Sequence, residues 1–192
     1  MDRLIELFEK YADMKILAYF LSRPGRQFYK KEIARALNVS PSTVIKAVDS
    51  FHEEGLLLKE IRGREHFYSL NTENCVVPPL KKAYGLAFVL SAKPVALFQE
   101  ADPGIISLVL YGSYARGDFD DLSDIDFLAI THSDKLKLIP PLKAIEDRLD
   151  KEANITTLRL SDCKSMLDRG DAFYKSVLKD HVLLFGSGLI EA

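Results

Sequence analysis

The sequence predicts an α+β chain in two parts: a helical N-terminal module closed by a β-hairpin, then an α/β domain with a small mixed sheet. Three observations carry this expectation. Apolar residues recur at helical spacing through the first fifty residues and give way to hairpin-like runs before Asn71. Two apolar, β-rich runs at 105–110 and 125–130 enclose a Gly-Ser turn. A third such run, at 155–160, follows a helix-length stretch, so strands and helices alternate in the second half.

In chain order, Leu4, Ile5, Leu7 and Phe8, then Met14, Ile16, Leu17, Tyr19, Phe20 and Leu21, have helical spacing that stops at Pro24-Gly25. Phe28 and Tyr29 make a short extended link. Residues 30–37 form a helix burying Ile33, Ala34 and Leu37, and Asn38-Val39-Ser40 turns the chain. Ser40 then caps a third helix with Pro41 at its first position, where no backbone N–H is needed. That helix turns Val44, Ile45, Val48 and Phe51 inward and ends near Gly55. Residues 56–61 and 66–70 flank the turn Arg62-Gly63-Arg64 as a β-hairpin.

The polar stretch Asn71-Thr72-Glu73-Asn74 and the pair Pro78-Pro79 mark a boundary. Two linker helices follow, at 80–92 and from Pro94 to about Ala101; they pack on the next domain or pair with a second copy of the chain as a homodimer. The borders drawn are 1–74, 75–103 and 104–192. Asp102-Pro103-Gly104 turns into the central strand at 105–110. After Ile130 come a loop to Lys135 with a surface His132, and a helix at 138–149 burying Leu142, Ile145 and Leu149. The third strand follows at 155–160. Ser161-Asp162 caps a helix, Asp168-Arg169-Gly170-Asp171 interrupts it, and residues 172–179 resume it. Residues 181–185 add an edge strand or pack the end of the sheet.

Composition bounds the function classes. A hydrophobic share of 47% with 28% charged residues suits a packed domain rather than a disordered segment. Up to Asn71 there are 12 Lys+Arg against 10 Asp+Glu, and beyond it 14 against 18. The bias fits a polyanion-binding first half and a metal-binding second half. Cys75 and Cys163 have neither metal-ligand nor disulfide spacing and read as reduced thiols of a cytoplasmic protein. Met1-Asp2-Arg3 leads into an amphipathic helix rather than a signal peptide. The apolar run at 83–92 is about half of the ~20 residues that a membrane span needs.

Chemistry concentrates between the two central strands. Gly112 permits a tight turn and Ser113 can cap the helical turn behind it. Free N–H groups there favour an anion such as phosphate. Asp124 and Asp126 alternate along the next strand, so both carboxylates share one face, about 6.6 Å apart at Cα. Carboxylates that close repel unless a cation lies between them, and hard oxygens suit Mg²⁺. Arg116 is either a phosphate contact or the ion-pair partner of Asp118, Asp120 or Asp121. Lys175 either reaches the phosphates or stays in solvent.

Gly112-Ser113-Tyr114-Ala115-Arg116-Gly117, followed by Ser123-Asp124-Ile125-Asp126, resembles the signature of the DNA polymerase beta-like nucleotidyltransferase superfamily, in its minimal, antitoxin-related form. The resemblance implies a Mg²⁺-dependent transferase moving a nucleoside monophosphate from a triphosphate, ATP being expected, to a hydroxyl acceptor. Asp124 and Asp126 would be catalytic and hold two metal ions; Gly112, Ser113 and Arg116 would bind the nucleotide. The family adds a third carboxylate on the next strand. Here Asn154-Ile155-Thr156-Thr157-Leu158-Arg159-Leu160 offers none, and Asn154 or Thr156 takes its place.

Roughly Ala12 to Asn71, above all Glu32-Ile33-Ala34-Arg35-Ala36-Leu37-Asn38-Val39-Ser40-Pro41-Ser42-Thr43-Val44, resembles a winged helix-turn-helix domain. Its third helix would enter a DNA major groove and offer Ser42, Thr43 and Lys46. Arg62 and Arg64 at the wing tip, with Lys30, Lys31 and Lys59, would meet phosphates; His66 is a wing or packing residue. A winged helix used for dimerisation or protein contact is the alternative. The combined expectation is a transferase tethered to a DNA-binding module, with a protein or nucleic-acid acceptor and no membrane association. The competing expectation is a DNA-binding regulator whose transferase fold is a weakened nucleotide sensor.

Overall fold

The computed structural model describes residues 4–190; Met1, Asp2 and Arg3, expected to lead into the first helix, lie outside the described residues. The chain divides into two compact units. The first comprises the chain up to Ala87 together with Gly117–Asp121, and the second Phe88–Arg116 with the chain from Leu122 onward.

In the first unit the order is α1 (Glu6–Glu9), α2 (Ala12–Leu21), β1 (Phe28–Tyr29), α3 (Lys30–Leu37), α4 (Pro41–Glu53), β2 (Leu57–Arg62) and β3 (Glu65–Leu70). The opening helical stretch is broken, because Tyr11 is extended at φ −100° and ψ 133°. Asn38 closes α3 in the left-handed conformation at φ 52°, which asparagine tolerates better than most residues. Ser40 caps α4 as expected, its Oγ accepting from the Thr43 amide at 3.2 Å. The antiparallel sheet runs β1-β3-β2, with Phe28 opposite Tyr68 and Leu57 opposite Leu70. Ile16, Phe20, Leu21, Ile33, Val44, Val48 and Tyr68 are fully enclosed between helices and sheet.

Helix α5 (Val77–Ser91) begins three residues earlier than the apolar pattern indicates. Pro78 and Pro79 lie in its first turn, where proline costs no helical hydrogen bond. Its residues up to Ala87 belong to the first unit. There the segment Gly117–Asp121 packs on it. Phe119 is 1% exposed, Lys81 Nζ lies 4.7 Å from its ring centroid, and its ring occupies the space that a Cβ on Gly85 would need. The Lys81 ammonium, itself buried, donates to the Phe119 carbonyl, and Asp121 pairs with Arg26. Gly117, at φ 88°, rests against the Lys82 backbone, leaving no room for a side chain.

The second unit contains α6 (Pro94–Ala101), β4 (Ser107–Tyr111), α7 (Gly112–Arg116), β5 (Ile125–Ile130), α8 (Ile139–Leu149), β6 (Ala153–Leu158), α9 (Leu160–Asp168), α10 (Ala172–Lys179) and β7 (Val182–Gly186). The sheet order is β6-β5-β4-β7, with β5 and β6 parallel and the other pairs antiparallel. This is the small mixed sheet expected, and β7 takes its edge. Val109, Leu128 and Ile130 pack with Cys163, Tyr174 and Val177 of α9 and α10. On α6, Phe98 meets Phe127 edge-on with centroids 5.4 Å apart.

Strand β6 begins two residues earlier than the apolar pattern suggests and ends at Leu158, because Arg159 leads into α9. The Arg159 amide donates to the Asp162 carboxylate at 2.9 Å, so Asp162 rather than Ser161 secures that start. Asp102, 3% exposed, accepts from Thr131 and Ser133 hydroxyls at 2.5 and 3.0 Å and from the Gly104 amide at 3.1 Å, fixing the turn before β4. His132 beside them is exposed, as expected. Among the described residues no helix is long and apolar enough to cross a membrane.

Candidate functional site

The chemistry-bearing residues of the second unit meet at one end of its sheet. Antiparallel pairing sets Tyr111, the last residue of β4, opposite Asp126 near the start of β5. Gly112 follows immediately at φ 73°, and α7 begins there. The missing side chain is what lets the turn close. A Cβ on Gly112 would run into Asp126 Oδ2 and stand 3.3 Å from its Cγ. The Gly-Ser turn and the second aspartate are therefore in direct apposition, with Ser113 partly exposed beside them.

Asp124 is brought to the same place through β6. Parallel pairing puts Asn154 opposite Asp126. The Asn154 Nδ2 lies 3.3 Å from Asp126 Oδ1 and 3.4 Å from Asp124 Oδ2, so one amide group donates to both carboxylates. Of the two residues expected at the third-carboxylate position, Asn154 is thus the one that faces the acid pair. Thr156 is 3.3 Å from the Tyr111 hydroxyl, whose ring meets Phe173 edge-on at 5.6 Å.

Burial raises the Asp126 carboxyl above the usual range, and the charge of Asp124 pushes the same way; Asn154 and Arg116 act against them. Arg116 therefore adds positive charge on the acid side of the turn, and its side chain is exposed. Among the described residues no three His, Cys, Asp or Glu side chains converge as a metal-ligand group. The donor set is two carboxylates with a neutral amide. Such oxygens suit a hard divalent cation, and the side-chain-free turn at Gly112 keeps backbone N–H groups next to the carboxylate that would hold it. Lys175 Nζ lies beside Gly170, 2.9 Å from where a Cβ would stand.

The sequence-derived nucleic-acid residues lie in the first unit. Ser40 Oγ is 3.0 Å from Ser42 Oγ and 2.7 Å from Thr43 Oγ1, so both hydroxyls are gathered at the α4 cap. Lys46 is exposed one turn later, and with Asp13, Ser42, Thr43 and Ser50 it lines a groove of about 340 Å³. Arg64 is exposed at the hairpin tip. Arg62 instead engages Glu60 and Gln27 at 2.6–2.8 Å and lies 5.0 Å from the Phe67 centroid. Lys30 is tied to Asp49 at 2.6 Å, 5.2 Å from the Tyr68 centroid.

Some solved structures are similar to parts of this chain. One, a toxin-antitoxin with AMP-PNP, is 18% identical over 51% of this chain and 75% of its own, at a TM-score of 0.39. A tri-AMPylated Shewanella oneidensis HEPN toxin in complex with MNT antitoxin gives 16% identity over 57% and 73%, at 0.34. A possible transcriptional regulator from Methanosarcina mazei Go1 gives 19% over 52% and 84%, at 0.33. No curated protein matches the chain. From α6 to the start of β7, residues 95–183 match the family model described as nucleotidyltransferase domain, and the apposed Gly-Ser turn and paired aspartates lie within the matched residues.

Proposed function

We propose that the chain is a Mg²⁺-dependent nucleotidyltransferase that uses ATP and is tethered to a DNA-binding winged helix. The observation that carries this reading is the fit of Asp126 against Gly112, which joins an anion-binding turn to a cation-binding pair. In this reading the Gly112 and Ser113 amides and the Ser113 hydroxyl hold the β- and γ-phosphates, Arg116 adds a planar phosphate contact, and Asp124 and Asp126 hold the metal. A magnesium ion bound there would neutralise triphosphate charge and favour charge build-up on the attacking and leaving oxygens. The acceptor hydroxyl oxygen forms a bond to the α-phosphorus as the bond to the β-phosphate oxygen breaks. Pyrophosphate leaves with that electron pair, and the hydroxyl proton passes to solvent. The turn and the acid pair act by holding the phosphorus in line.

In the first unit, the capped α4 with Ser42, Thr43 and Lys46, and the hairpin with Arg64 exposed at its tip, support a winged-helix reading in which Arg62 would meet phosphate only by leaving Glu60 and Gln27. Helix α4 is then the groove-reading helix and the hairpin is the wing. A second reading, a DNA-binding regulator with a nucleotide-sensing domain, is favoured by one observation: residue 154 is an amide and not an acid.

Incubation with labelled NTPs, Mg²⁺ or Mn²⁺ and protein, nucleic-acid or small hydroxylated acceptors separates the two. Transfer that is lost in Asp124→Asn/Asp126→Asn supports the enzyme. Nucleotide binding without transfer to any acceptor supports the sensor.

A further inference from the structure

The acid pair has a third neighbour whose chemistry limits what it can hold. Pairing of β5 with β6 sets Asn154 opposite Asp126, and its side-chain nitrogen reaches both carboxylates at 3.3 and 3.4 Å. The next residue on the same strand face, Thr156, is engaged with Tyr111 at 3.3 Å. Position 154 therefore stands beside both acids, and the group there is uncharged.

We infer that Asn154 restricts this site to a single divalent cation in the presence of a nucleoside triphosphate. The inference rests on the proposed nucleotide-binding function and assigns the ion count of that same site. Two carboxylates carry two negative charges, enough to balance one divalent ion in a half-buried place where uncompensated charge is costly. The triphosphate oxygens would serve the ion they share with the carboxylates; a second ion, serving the acceptor hydroxyl, would need a further anionic oxygen from the protein. The Asn154 N–H group cannot ligate a cation, and its carbonyl brings a dipole without charge. Among the described residues no other His, Cys, Asp or Glu joins the two aspartates. Before any ion arrives, the same amide stands between two like charges and donates to both, which offsets their repulsion and keeps them aimed together. Asn154 is thus a positioning residue when the acids are bare and a neutral neighbour when they hold metal.

The test uses the full chain, Mn²⁺ as the probe and one equivalent of a non-hydrolysable ATP analogue. Bound ions are counted from loss of the free-Mn²⁺ EPR signal against a protein-free control. The wild type should take up one Mn²⁺ per chain, Asn154→Asp should take up two, and the second site should tighten at least roughly tenfold. Asn154→Ser, which removes the amide without adding charge, should stay at one. Wild-type protein binding two ions of similar affinity would overturn the inference, as would a folded Asn154→Asp that still binds one, while leaving the proposed function in place. Binding by wild type no tighter than by Asp124→Asn/Asp126→Asn would remove the proposed function and this inference with it.

Discussion

Replacing Gly112 by alanine adds one methyl group where the turn meets the acid pair. Two costs follow from the geometry. The residue sits at φ 73°, a conformation that costs a side chain with a Cβ about 1–2 kcal/mol. The methyl also overlaps Asp126 Oδ2, so the carboxylate must rotate away from the turn or the turn must open. Since about 1.4 kcal/mol is a factor of ten, the backbone cost alone is worth roughly tenfold in any equilibrium that requires the closed turn. Calorimetric titration of Gly112→Ala with Mg²⁺ and a non-hydrolysable ATP analogue should show affinity lowered by at least that factor. The control is Gly63→Ala, at φ 62° on the hairpin tip with no atom within 4 Å of the added Cβ. It carries a similar backbone cost in the first unit and should leave nucleotide affinity unchanged. A folded Gly112→Ala chain that binds the analogue as tightly as wild type would refute the assignment of this turn to the phosphates.

Phe119→Ala should lower the urea-unfolding free energy of the first unit by about 3–5 kcal/mol, because a fully buried ring is lost. Leu122→Ala, at an 85% exposed position three residues on, should stay within about 0.5 kcal/mol of wild type. The Lys30 ammonium holds the Asp49 carboxyl below its usual value, with Tyr68 assisting and burial opposing. A depressed acid contributes stability above its unfolded value, near 3.8, and loses it as pH falls through the folded value. Asp49→Asn should therefore flatten the acid limb of a stability–pH profile and lower stability near neutrality. If the hairpin is a DNA-binding wing, Arg64→Ala should weaken a mobility shift across sequences and reduce its log–log salt slope by about one. An unchanged slope would place Arg64 away from phosphate.

Much of the architecture was legible because local rules and tertiary packing agree. Ser40 with Pro41, the hairpin whose turn is Gly63-Arg64 and the strand pair around Gly112 are all set by nearby residues. The misplacements have local causes as well. Apolar spacing before and after Tyr11 looked continuous because both helices face one core, through Phe8 and Ile16. Pro78-Pro79 read as a boundary, whereas a first helical turn accepts proline without loss.

What stayed hidden is what depends on register. Asn154 and Thr156 share a strand face, so only the pairing of β6 with β5 reveals which one meets the acids. That β7 lies against β4, and that Gly117–Asp121 packs into the first unit, are non-local outcomes without a short-range signal.

The apposition of the Gly112-Ser113 turn with Asp124 and Asp126 is the centre of the account, and metal-dependent nucleotide binding tests it most directly. Calorimetric titration of the full chain with a non-hydrolysable ATP analogue should give saturable heat with Mg²⁺ and lose it with EDTA or in Asp124→Asn/Asp126→Asn. Equal binding by wild type and the double variant, or no heat from wild type with any Mg-NTP, would contradict it.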